Sequence, residues 1–527
     1  MAKDQAKPET TPKSTFDESR RIFTSLGFLP EPGAYALAKF SRSTKPYEDW
    51  IVELTSEGAE KFFNTYYFQY GHASIADLGH VCLVAENISM LAAVELFNLR
   101  LQDGQESSTR YQDWTKRGIL VPPEIKGKEQ EISYVATYRY LIEIYKYIHE
   151  KITEVFKEKY TKEKLKNMDQ AAYERTVAAR AFDVARYLLP VGCLTGMGNL
   201  TPARNLEKLI SQLLSHPLKE IQDIGQEVKA ACKEKPAFNT QKIRVEKLLK
   251  DGSLPNFAGK EKFLNSLKEI IYADAKSLPT LVKYADRNEY LVKTYQELKK
   301  YADRALKKLG SPKVERRIQL IPPHDQDLEV AATLLYRVSP FPYIDLLNFV
   351  RKLSKKDLSA LIDLAYKFRG AHDEPILETR AGYELIFDVW IDCGAFRDLH
   401  RHRNCVQIIK DFEPSYGFDV PKDIVESKLD GVYESTMNFA ASQARELDEK
   451  FPLVGGYILP LGFRRPFLFK IDSWELGYIV ENRTSFEGHF SYREAAWEML
   501  KEFEKKYPGR AKHIRAVNPN ELSFFKR

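Results

Sequence analysis

The sequence predicts an α+β protein made of two tandem repeats of a helix/sheet domain, joined by a helical connector. Three pairs of short segments recur in the same order in the two halves of the chain, which indicates an internal repeat. Within each half, apolar stretches with helical spacing alternate with short runs of β-branched and aromatic residues that are typical of strands. Because the chain has 527 residues, it can form two or more hydrophobic cores.

The repeat is inferred from segments that match between the halves. These segments are YALAKFSRSTKPYED at 35–49 with AATLLYRVSPFPYID at 331–345, LFNLR at 96–100 with LHRHR at 399–403, and YLLPVG at 187–192 with YILPLG at 457–462. The second and third segments lie farther apart in the first half than in the second. The predicted boundaries are a disordered N-terminus at 1–19, a first repeat at 20–225, a connector at 226–314 and a second repeat at 315–527.

The predicted elements inside the repeats are helices and short strands. Helical spacing of apolar residues marks Ile75 to Leu96, Leu358 to Phe368 and Tyr492 to Phe503. Strands are predicted for ELIFDVWI at 384–391 and PFLFKI at 466–471. The Lys-rich connector also carries helical patterns, and we interpret it as a solvated helical spacer and not as a ligand-binding element. Neither a Gly-x-Gly-x-x-Gly turn between strand and helix nor a P-loop pattern occurs, so the sequence supports neither kind of nucleotide site.

Composition excludes several classes of function. The chain has 80 Lys+Arg and 74 Asp+Glu, and a net charge of +6 is too small to indicate bulk binding to nucleic acid or to a membrane. The five cysteines are far apart and show no metal-binding spacing, so we expect reduced thiols and no metal site. The N-terminal segment is polar, and no stretch of 18 uninterrupted apolar residues occurs. We therefore expect a cytoplasmic protein.

A cluster of basic side chains stands out in LHRHR at 399–403. It contains two histidines and two arginines, and Arg397 lies just upstream. Burial of these groups without an anionic partner would be energetically costly. The cluster is therefore either a solvated helix end or a phosphate-binding element, and we favour the second interpretation.

Two further segments could contribute to an anion site. The loop NLRLQDGQESSTRYQDW at 98–114 places small hydroxyl residues and Arg110 together, which suits a phosphate or the edge of a pyrimidine. An ordinary polar turn would explain the same residues. The third segment, VENRTSFEGHFSYRE at 480–494, contains Arg483 and His489, and on its own it is best explained as a surface turn.

Taken together, these segments resemble the motifs of the flavin-dependent thymidylate synthases. That family has an Arg-His-Arg triplet and a Glu-x-Ser-x-Arg-Tyr segment, preceded by a Gly-His-x-Ser stretch. The matching segments are GHAS at 71–74, ESSTRY at 106–111, ARYLLP at 185–190 and PARNL at 202–206 in the first half, and RHR at 401–403, YILPLG at 457–462 and ENRT at 481–484 in the second. The resemblance covers most of both repeats and leaves out the connector.

Each half departs from the family pattern where the other half keeps it. In the first half, the triplet reads Asn98-Leu99-Arg100, and the position of the family's late arginine is apolar, near Leu213. In the second half, IKDFEPSYGF at 409–418 replaces Glu-x-Ser-x-Arg-Tyr, and Gly456 stands where the first half has an arginine. Random decay after duplication would usually remove overlapping sets of residues. The complementary losses therefore favour specialisation of the two halves.

The resemblance implies reductive methylation of dUMP to dTMP. It implies FAD as cofactor, NADPH as reductant and methylenetetrahydrofolate as the one-carbon donor. Family pockets are assembled at subunit interfaces of a tetramer, so a chain with two repeats is expected to form a homodimer that acts as a pseudo-tetramer. No nucleic-acid or membrane partner is expected. Two alternatives stay open: a non-catalytic flavin- or nucleotide-binding scaffold, and an enzyme that methylates another uridine.

The resemblance also assigns roles to individual residues, in a pocket that combines both halves. Catalytic roles fall to Arg483 and Ser108; substrate-binding roles fall to Glu106, Ser108, Arg110, Arg186 and Arg483; and cofactor-binding roles fall to Ser74, Arg204, Arg401, His402 and Arg403. Arg483 would favour charge that develops on the uracil ring, while Arg110 and Arg186 would hold the phosphate. Ser108 would lie near the base as a hydrogen-bonding group. No cysteine has the setting of a nucleophile, and this chemistry requires none.

Overall fold

The structure is a computed structural model that describes residues 33–37, 77–161, 168–236, 247, 257–270, 276–312, 314, 316–321, 325–370, 373, 375–521 and 524. The predicted disordered N-terminus, most of the first repeat segment at 35–49, and the GHAS stretch with Ser74 lie outside the described residues. The chain divides into two compact units. One comprises Met1–Cys82, Leu200–Lys208 and Glu227–Ala285, and the other comprises Leu83–Asn199, Leu209–Gln226 and Asp286–Arg527.

The described elements are helices and short strands in alternation. The strands are β1 (His80–Ser89), β2 (Asp103–Glu106), β3 (Leu194–Pro202), β4 (Ile318–Leu320), β5 (Leu385–Val389), β6 (Val406–Ile409) and β7 (Phe467–Ile471). The helices are α1 (Met90–Leu96), α2 (Glu129–Lys159), α3 (Gln170–Ala185), α4 (Ala203–Leu214), α5 (Lys219–Lys233), α6 (Lys260–Ile270), α7 (Glu289–Ala305), α8 (Gln326–Arg337), α9 (Tyr343–Val350), α10 (Lys355–Leu364), α11 (Cys393–Leu399), α12 (Lys422–Glu426), α13 (Asp430–Lys450), α14 (Ser473–Arg483), α15 (Phe490–Lys506) and α16 (Pro508–Ala511). None of these helices is long and apolar enough to cross a membrane.

The described strands form two sheets. One has three strands in the order β1-β3-β2, and the other has four strands in the order β4-β5-β7-β6, with antiparallel pairing throughout the second sheet. Phe387 pairs with Phe469, and Ile408 pairs with Leu468. The two strands predicted near 384–391 and 466–471 are confirmed as β5 and β7. The mixed helix and sheet content is also confirmed.

The predicted helix from Ile75 to Leu96 is wrong over its first part. The described residues there form β1, and α1 begins only at Met90. Ser89 begins the helix because its Oγ accepts a hydrogen bond of 2.9 Å from the Ala92 amide. Continuous apolar character did not distinguish a strand followed by a short helix from one long helix. The predicted helix from Tyr492 to Phe503 lies within α15 and is confirmed.

A large hydrophobic core lies between the four-stranded sheet and helices α7 to α10. The sheet contributes Ile386, Ile408 and Leu468, and α8 contributes Leu334 and Leu335, all of them buried. Burial of aliphatic side chains on this scale supplies the main driving force for folding of this part of the chain. The core fixes the strand ends from which the site residues of the second half follow.

The two segments YLLPVG and YILPLG pair with each other within the larger unit. Pro190 and Pro460 form an antiparallel bridge. Four reciprocal hydrogen bonds surround it: Val191 N to Leu459 O at 3.0 Å, Gly192 N to Tyr457 O at 2.7 Å, Leu461 N to Leu189 O at 2.9 Å and Gly462 N to Tyr187 O at 2.9 Å. Each segment donates two of these hydrogen bonds to the other and accepts two from it, at equivalent positions. Surfaces related by a two-fold axis have this pattern.

The surroundings of this pair are repeated as well. The hydroxyl of Tyr134 bonds Leu120 O at 2.8 Å and lies 2.7 Å from the position of a Cβ on Gly192. In the second half, the hydroxyl of Tyr433 bonds Asp419 O at 2.8 Å and lies 2.6 Å from the position of a Cβ on Gly462. Both glycines are therefore required by the close approach of a tyrosine. The same packing solution occurs once in each half.

Asp448 provides a test of the fold through the pH dependence of stability. Its Oδ1 accepts a hydrogen bond of 2.7 Å from the Gly455 amide, and burial raises the pKa of its carboxyl to about 6. Because the folded pKa exceeds the unfolded value, ionisation opposes folding, and this cost grows as the pH rises from 5 to 7.5. The stability of Asp448→Asn relative to wild type should therefore be higher at pH 7.5 than at pH 5, by about 1 kcal/mol. Urea unfolding at both pH values measures this difference, and an equal difference at both would contradict it.

Candidate functional site

A cavity of about 310 Å³ lies within the larger unit and is lined by residues of both halves of the sequence. Its size is at the lower end of the range of small-molecule sites. Six of the lining residues are arginines: Arg110, Arg186, Arg397, Arg401, Arg403 and Arg483. A site with this many guanidinium groups is suited to an anion.

Each arginine reaches the cavity from the end of an element. The loop after β2 carries Arg110, and Arg186 follows directly after α3. Helix α11 carries Arg397 near its C-terminal end, and Arg483 is the last residue of α14. Helix α11 is set by Asp392, whose Oδ1 accepts a hydrogen bond of 2.8 Å from the Ala395 amide.

Arg110 is held almost completely by protein groups. It donates to both carboxylate oxygens of Asp183, at 2.7 and 3.2 Å, to Glu487 O at 3.1 Å and to Tyr492 Oη at 3.2 Å. Burial by itself would lower the pKa of Arg110, but the Asp183 carboxylate raises it above the ordinary value. A guanidinium has five N–H groups, so among the described contacts one N–H of Arg110 is left for a ligand. Arg110 therefore anchors the loop as well as lining the cavity.

Arg186, unlike Arg110, makes few contacts with polar groups of the protein. Its side chain is 3% exposed, and its Nη1 lies 3.4 Å from Thr109 Oγ1 and 3.9 Å from an Asp398 carboxylate oxygen. Within the described part of the chain, its Nε and Nη2 have no hydrogen-bond partner. A Cβ on Gly394 would lie 3.3 Å from Nη2, so the glycine leaves space for the guanidinium. Buried donors are normally satisfied, and these two indicate a missing acceptor such as a phosphate.

The Glu106 carboxylate forms an ion pair with Arg397. Arg397 Nη2 donates to its Oε1, and Thr195 Oγ1 donates to the same oxygen at 3.3 Å. The Arg397 Nε has no partner among the described residues. Glu106 thus fixes one arginine of the second half against a strand of the first half. The pair joins the two halves of the sequence across the cavity wall.

The triplet Arg401-His402-Arg403 is divided between the cavity and the protein interior. Arg401 Nη2 donates to Gly104 O at 3.2 Å, and Arg403 forms an ion pair with Asp103; both arginines line the cavity. His402 is buried and is absent from the lining. The two arginines are therefore available to an anion at this side of the cavity, and the histidine lies behind them.

The sequence predicted a pocket made from both halves, and most of its predicted members meet in this cavity. Glu106, Ser108, Arg110 and Arg186 line it together with Arg401, Arg403 and Arg483. All of these residues belong to one chain, so the grouping does not need a second subunit. Ser74 lies outside the described residues. Arg204 belongs to the smaller unit, where it forms an ion pair of 2.6 Å with Asp77.

Sequence reasoning missed residues that complete the site. Tyr492 lines the cavity, bonds Arg110 and packs its ring 5.6 Å from the guanidinium of Arg483. Asp183 orients Arg110 from three positions before Arg186, on the same face of α3. That helical spacing was the available signal for Asp183. Nothing in the sequence distinguished Tyr492 from the other tyrosines of the chain.

His489, noted with Arg483 in the sequence, has a structural place. It is buried, its Nδ1 accepts a hydrogen bond of 3.2 Å from the Ser491 amide, and its Nε2 lies 2.9 Å from Asp183 O. Burial, followed by the charge of Arg186, holds the pKa of His489 well below its ordinary value. His489 is not part of the cavity lining. It begins α15 and supports the Asp183 backbone.

The residue that matches Arg186 in the second half of the sequence has different surroundings. There, Gly456 stands in place of an arginine, and a Cβ on it would lie 3.1 Å from Phe412 O and 3.6 Å from Leu91 Cδ1. Nearby charges pair with each other: Arg465 lies 3.5 Å from Glu95, and Arg337 lies 2.8 Å from Asp411. Leu91 and these ion pairs thus lie around Gly456, whereas Gly394 leaves space beside Arg186 in the cavity.

The cysteines near the cavity are not activated thiols. Cys393 and Cys405 are buried, and burial raises the pKa of Cys393 to about 11 and that of Cys405 to about 12. A thiol with a raised pKa is a poor nucleophile at neutral pH. Cys393→Ser and Cys405→Ser, singly or together, should leave turnover within about tenfold of wild type. Steady-state assays with thermal melts as the folding control measure this, and a loss of turnover in a folded variant would indicate thiol chemistry.

Comparison with known proteins agrees with the resemblance seen in the sequence. Residues 30–236 match the family described as thymidylate synthase complementing protein, which confirms the predicted resemblance. UPF0159 proteins are similar to the chain over most of its length. That of Chlamydia muridarum is 24% identical over 476 residues, covering 89% of this chain and 83% of that protein. That of Thermoplasma acidophilum is 22% identical over 519 residues, covering 92% and 95%.

Solved structures give a more distant similarity. The chain is similar to the flavin-dependent thymidylate synthase ThyX of Helicobacter pylori, in a crystal structure with FAD and dUMP. The identity is 19%, the match covers 38% of this chain and 89% of that chain, and the TM-score is 0.23. A second structure of the same enzyme, also with FAD and dUMP, gives 18% identity, coverage of 38% and 86%, and a TM-score of 0.22.

Proposed function

The chain is similar to the thymidylate synthase complementing proteins over residues 30–236, and we propose that it converts dUMP to dTMP by reductive methylation. The observation that carries this proposal is Arg186, whose buried Nε and Nη2 lack a partner among the described residues, at a cavity lined by both halves. A phosphate monoester offers the paired oxygens that such a guanidinium binds best. The cavity volume of about 310 Å³ is suited to a mononucleotide.

The substrate is assigned to the inner part of the cavity. Arg186 binds the phosphate with its unpaired donors, and Arg110 adds the single N–H that its protein contacts leave free. Arg483 lies beside the ring of Tyr492 and is assigned to the uracil ring, where it stabilises negative charge that develops during the reaction. Ser108 lines the same cavity and serves as a hydrogen-bonding group.

The cofactor is assigned to the side of the cavity formed by Arg401 and Arg403. Their guanidinium groups are partly accessible and suit the pyrophosphate of FAD, so the donor set fits this group. When bound, reduced FAD supplies the one-carbon transfer from methylenetetrahydrofolate and the hydride, with NADPH as reductant. Roles for Ser74, Arg204 and His402 in binding FAD remain predictions from the sequence.

The protein's own contribution is binding, orientation and charge. The half-buried ion pair of Glu106 with Arg397 fixes the wall between the two halves, and the buried ion pair of Asp183 with Arg110 fixes the loop. Pre-oriented donors of this kind stabilise a reacting anion without rearrangement during the reaction. The thiols take no part.

We also propose that the chain arose by duplication of one domain, with repeats at 20–225 and 315–527 and a connector at 226–314. The connector is not simply the solvated spacer expected from the sequence, because its helix α7 packs in the core with Tyr290, Leu298 and Ala302. The reciprocal hydrogen bonds around Pro190 and Pro460, and the matching tyrosines packed on glycines, support this origin. After duplication, one of the two equivalent regions kept the cavity, and the other was filled. A homodimer that acts as a pseudo-tetramer remains a prediction from the sequence.

Flavin binding tests the cofactor assignment. The purified protein should be yellow, and the double variant of Arg401→Ala with Arg403→Ala should lose the flavin, because each lost charged hydrogen bond weakens binding by about 1.5–3 kcal/mol. Absorbance at the flavin bands measures the bound fraction, and Arg337→Ala is a matched control because Arg337 pairs with Asp411 outside the cavity. A double variant that keeps a full complement of FAD would contradict the assignment.

Release of tritium from 5-labelled dUMP tests the reaction itself. Release that depends on methylenetetrahydrofolate and NADPH supports the proposed function. A yellow protein that binds dUMP and releases no tritium would be a non-catalytic flavin- and nucleotide-binding scaffold. Release only from a uridine in RNA would identify methylation of another uridine.

A further inference from the structure

His402 lies behind the cavity and contacts one of its arginines. It is 6% exposed and does not line the cavity, although both neighbours in the triplet do. Its Nε2 accepts a hydrogen bond of 2.8 Å from Nε of Arg483, which does line the cavity. A guanidinium only donates, so this bond requires that His402 Nε2 carry no proton.

The other side of the His402 ring faces a carboxylate. His402 Nδ1 lies 3.6 Å from Glu475 Oε1, and Glu475 is 2% exposed. The backbone of His402 is also fixed, because its carbonyl accepts from Gln407 Nε2 at 2.7 Å and from Cys405 Sγ at 2.9 Å. With Nε2 unprotonated, a neutral ring carries its proton on Nδ1, toward the carboxylate. The ring is therefore held in one orientation and one tautomer.

We propose that His402 is a positioning residue: with Glu475 behind it, His402 holds the Arg483 guanidinium at the cavity, and protonation of His402 releases that guanidinium. The inference rests on the proposed function, which assigns Arg483 to the nucleotide. A protonated imidazole offers no acceptor to Arg483 Nε and adds a second positive charge 2.8 Å from it. High nucleotide affinity therefore requires a neutral His402.

The surroundings of the ring determine the pH at which this happens. The charged groups near it are Arg483, Arg401 and Glu475, and the ring of Tyr478 packs edge-on with a centroid distance of 5.7 Å. Burial lowers the pKa of His402 below its ordinary value of 6.5; Glu475 raises it, and the two arginines lower it further. The lowered pKa of His402 and the hydrogen bond that its Nε2 accepts from Arg483 both favour the neutral ring. Nucleotide affinity is thus present above the pKa of His402 and is lost as the pH falls through it.

Titration calorimetry with dUMP between about pH 5 and pH 8 tests the proposal. His402→Gln keeps a neutral acceptor at every pH, and His402→Leu removes the acceptor. At pH 7.5 the Gln variant should bind within about threefold of wild type, and the Leu variant about tenfold more weakly. The phosphate of dUMP also changes its protonation state in this range, with a second pKa of about 6. The comparison of wild type with His402→Gln separates the two groups, because only wild type should show the additional loss of affinity in acid.

Two results would overturn the proposal: equal affinity of His402→Leu and wild type at pH 7.5, or the same pH profile for wild type and His402→Gln. If neither variant folds, Arg483→Lys replaces them, since lysine lacks Nε and cannot receive this support. It should bind about tenfold more weakly and lose the additional acid dependence, and a wild-type profile would overturn the proposal. A wild-type protein that binds neither dUMP nor inorganic phosphate would remove the proposed function, and this inference with it. Binding without any effect of His402 would remove this inference alone.

Discussion

Arg186→Ala should weaken dUMP binding by about 100-fold or more, because two charged hydrogen bonds to phosphate are lost, at about 1.5–3 kcal/mol each. The fold should tolerate the change, since Nε and Nη2 of Arg186 bond no described protein group. Titration calorimetry measures the affinity, and thermal melts measure the stability. Arg186→Lys keeps the charge but not the planar pair of donors, and it should recover only part of the affinity.

A matched control distinguishes this effect from a general loss of positive charge. Arg337→Ala removes an arginine that is paired with Asp411 and lies outside the cavity. It should bind dUMP as wild type does. Wild-type affinity of Arg186→Ala, or an equal loss in both variants, would contradict the assignment of Arg186 to the phosphate.

Arg110→Ala should abolish activity almost completely and should also destabilise the protein. Its removal leaves the buried Asp183 carboxylate with a distant charge partner, Arg180 at 3.8 Å. Loss of one partner of a buried ion pair costs about 3–5 kcal/mol. Chemical unfolding measures the stability, and tritium release from 5-labelled dUMP measures the activity.

The second substitution Asp183→Asn separates the two effects of Arg110→Ala. An amide at position 183 removes the buried negative charge that Arg110 no longer balances, so the double variant should regain much of the lost stability. It should not regain activity, because the loop would still lack its guanidinium. A stable double variant with wild-type activity would show that Arg110 has only a structural role.

The membership of the cavity could largely be predicted from the sequence. The triplet at 401–403 and the segment at 106–111 contain polar groups that require an anion when they are brought together, and each half lacks what the other supplies. The resemblance to the flavin-dependent thymidylate synthases identified Arg110, Arg186 and Arg483 from the sequence alone. It did not identify how many N–H groups of each arginine remain for a ligand, because that number depends on neighbours such as Asp183 that only the tertiary structure brings near.

The central pairing of YLLPVG with YILPLG was recognised only in part. The sequence showed that the two segments match, and the reciprocal hydrogen bonds around Pro190 and Pro460 show that they contact each other. Similarity between two segments does not by itself predict contact between them. The glycine that ends each segment is needed for a separate reason, because a Cβ on it would collide with the hydroxyl of Tyr134 or Tyr433.

The secondary structure before the cavity was mispredicted for a physical reason. The chain from His80 to Ser89 contains the β-branched residues Val81, Val84 and Ile88, and Asn87 adopts a φ of 56°. Positive φ interrupts a regular helix and is more common for asparagine than for most residues. Hydrophobic spacing does not report this backbone conformation, so the strand and the start of α1 were joined in the prediction.

The central claim is that one chain, using both of its halves, forms a complete nucleotide site. The most direct test is to co-express Arg186→Ala chains with Arg483→Ala chains, each with its own affinity tag. The purified mixture, and any mixed oligomer isolated with both tags, is then titrated with dUMP. If both arginines of a cavity come from the same chain, every cavity contains one of the two substitutions, and no high-affinity binding should appear. Wild type should bind one dUMP per chain. Recovery of high-affinity binding in the mixed oligomer, at one dUMP per two chains, would show that the arginines come from different chains and would contradict the account.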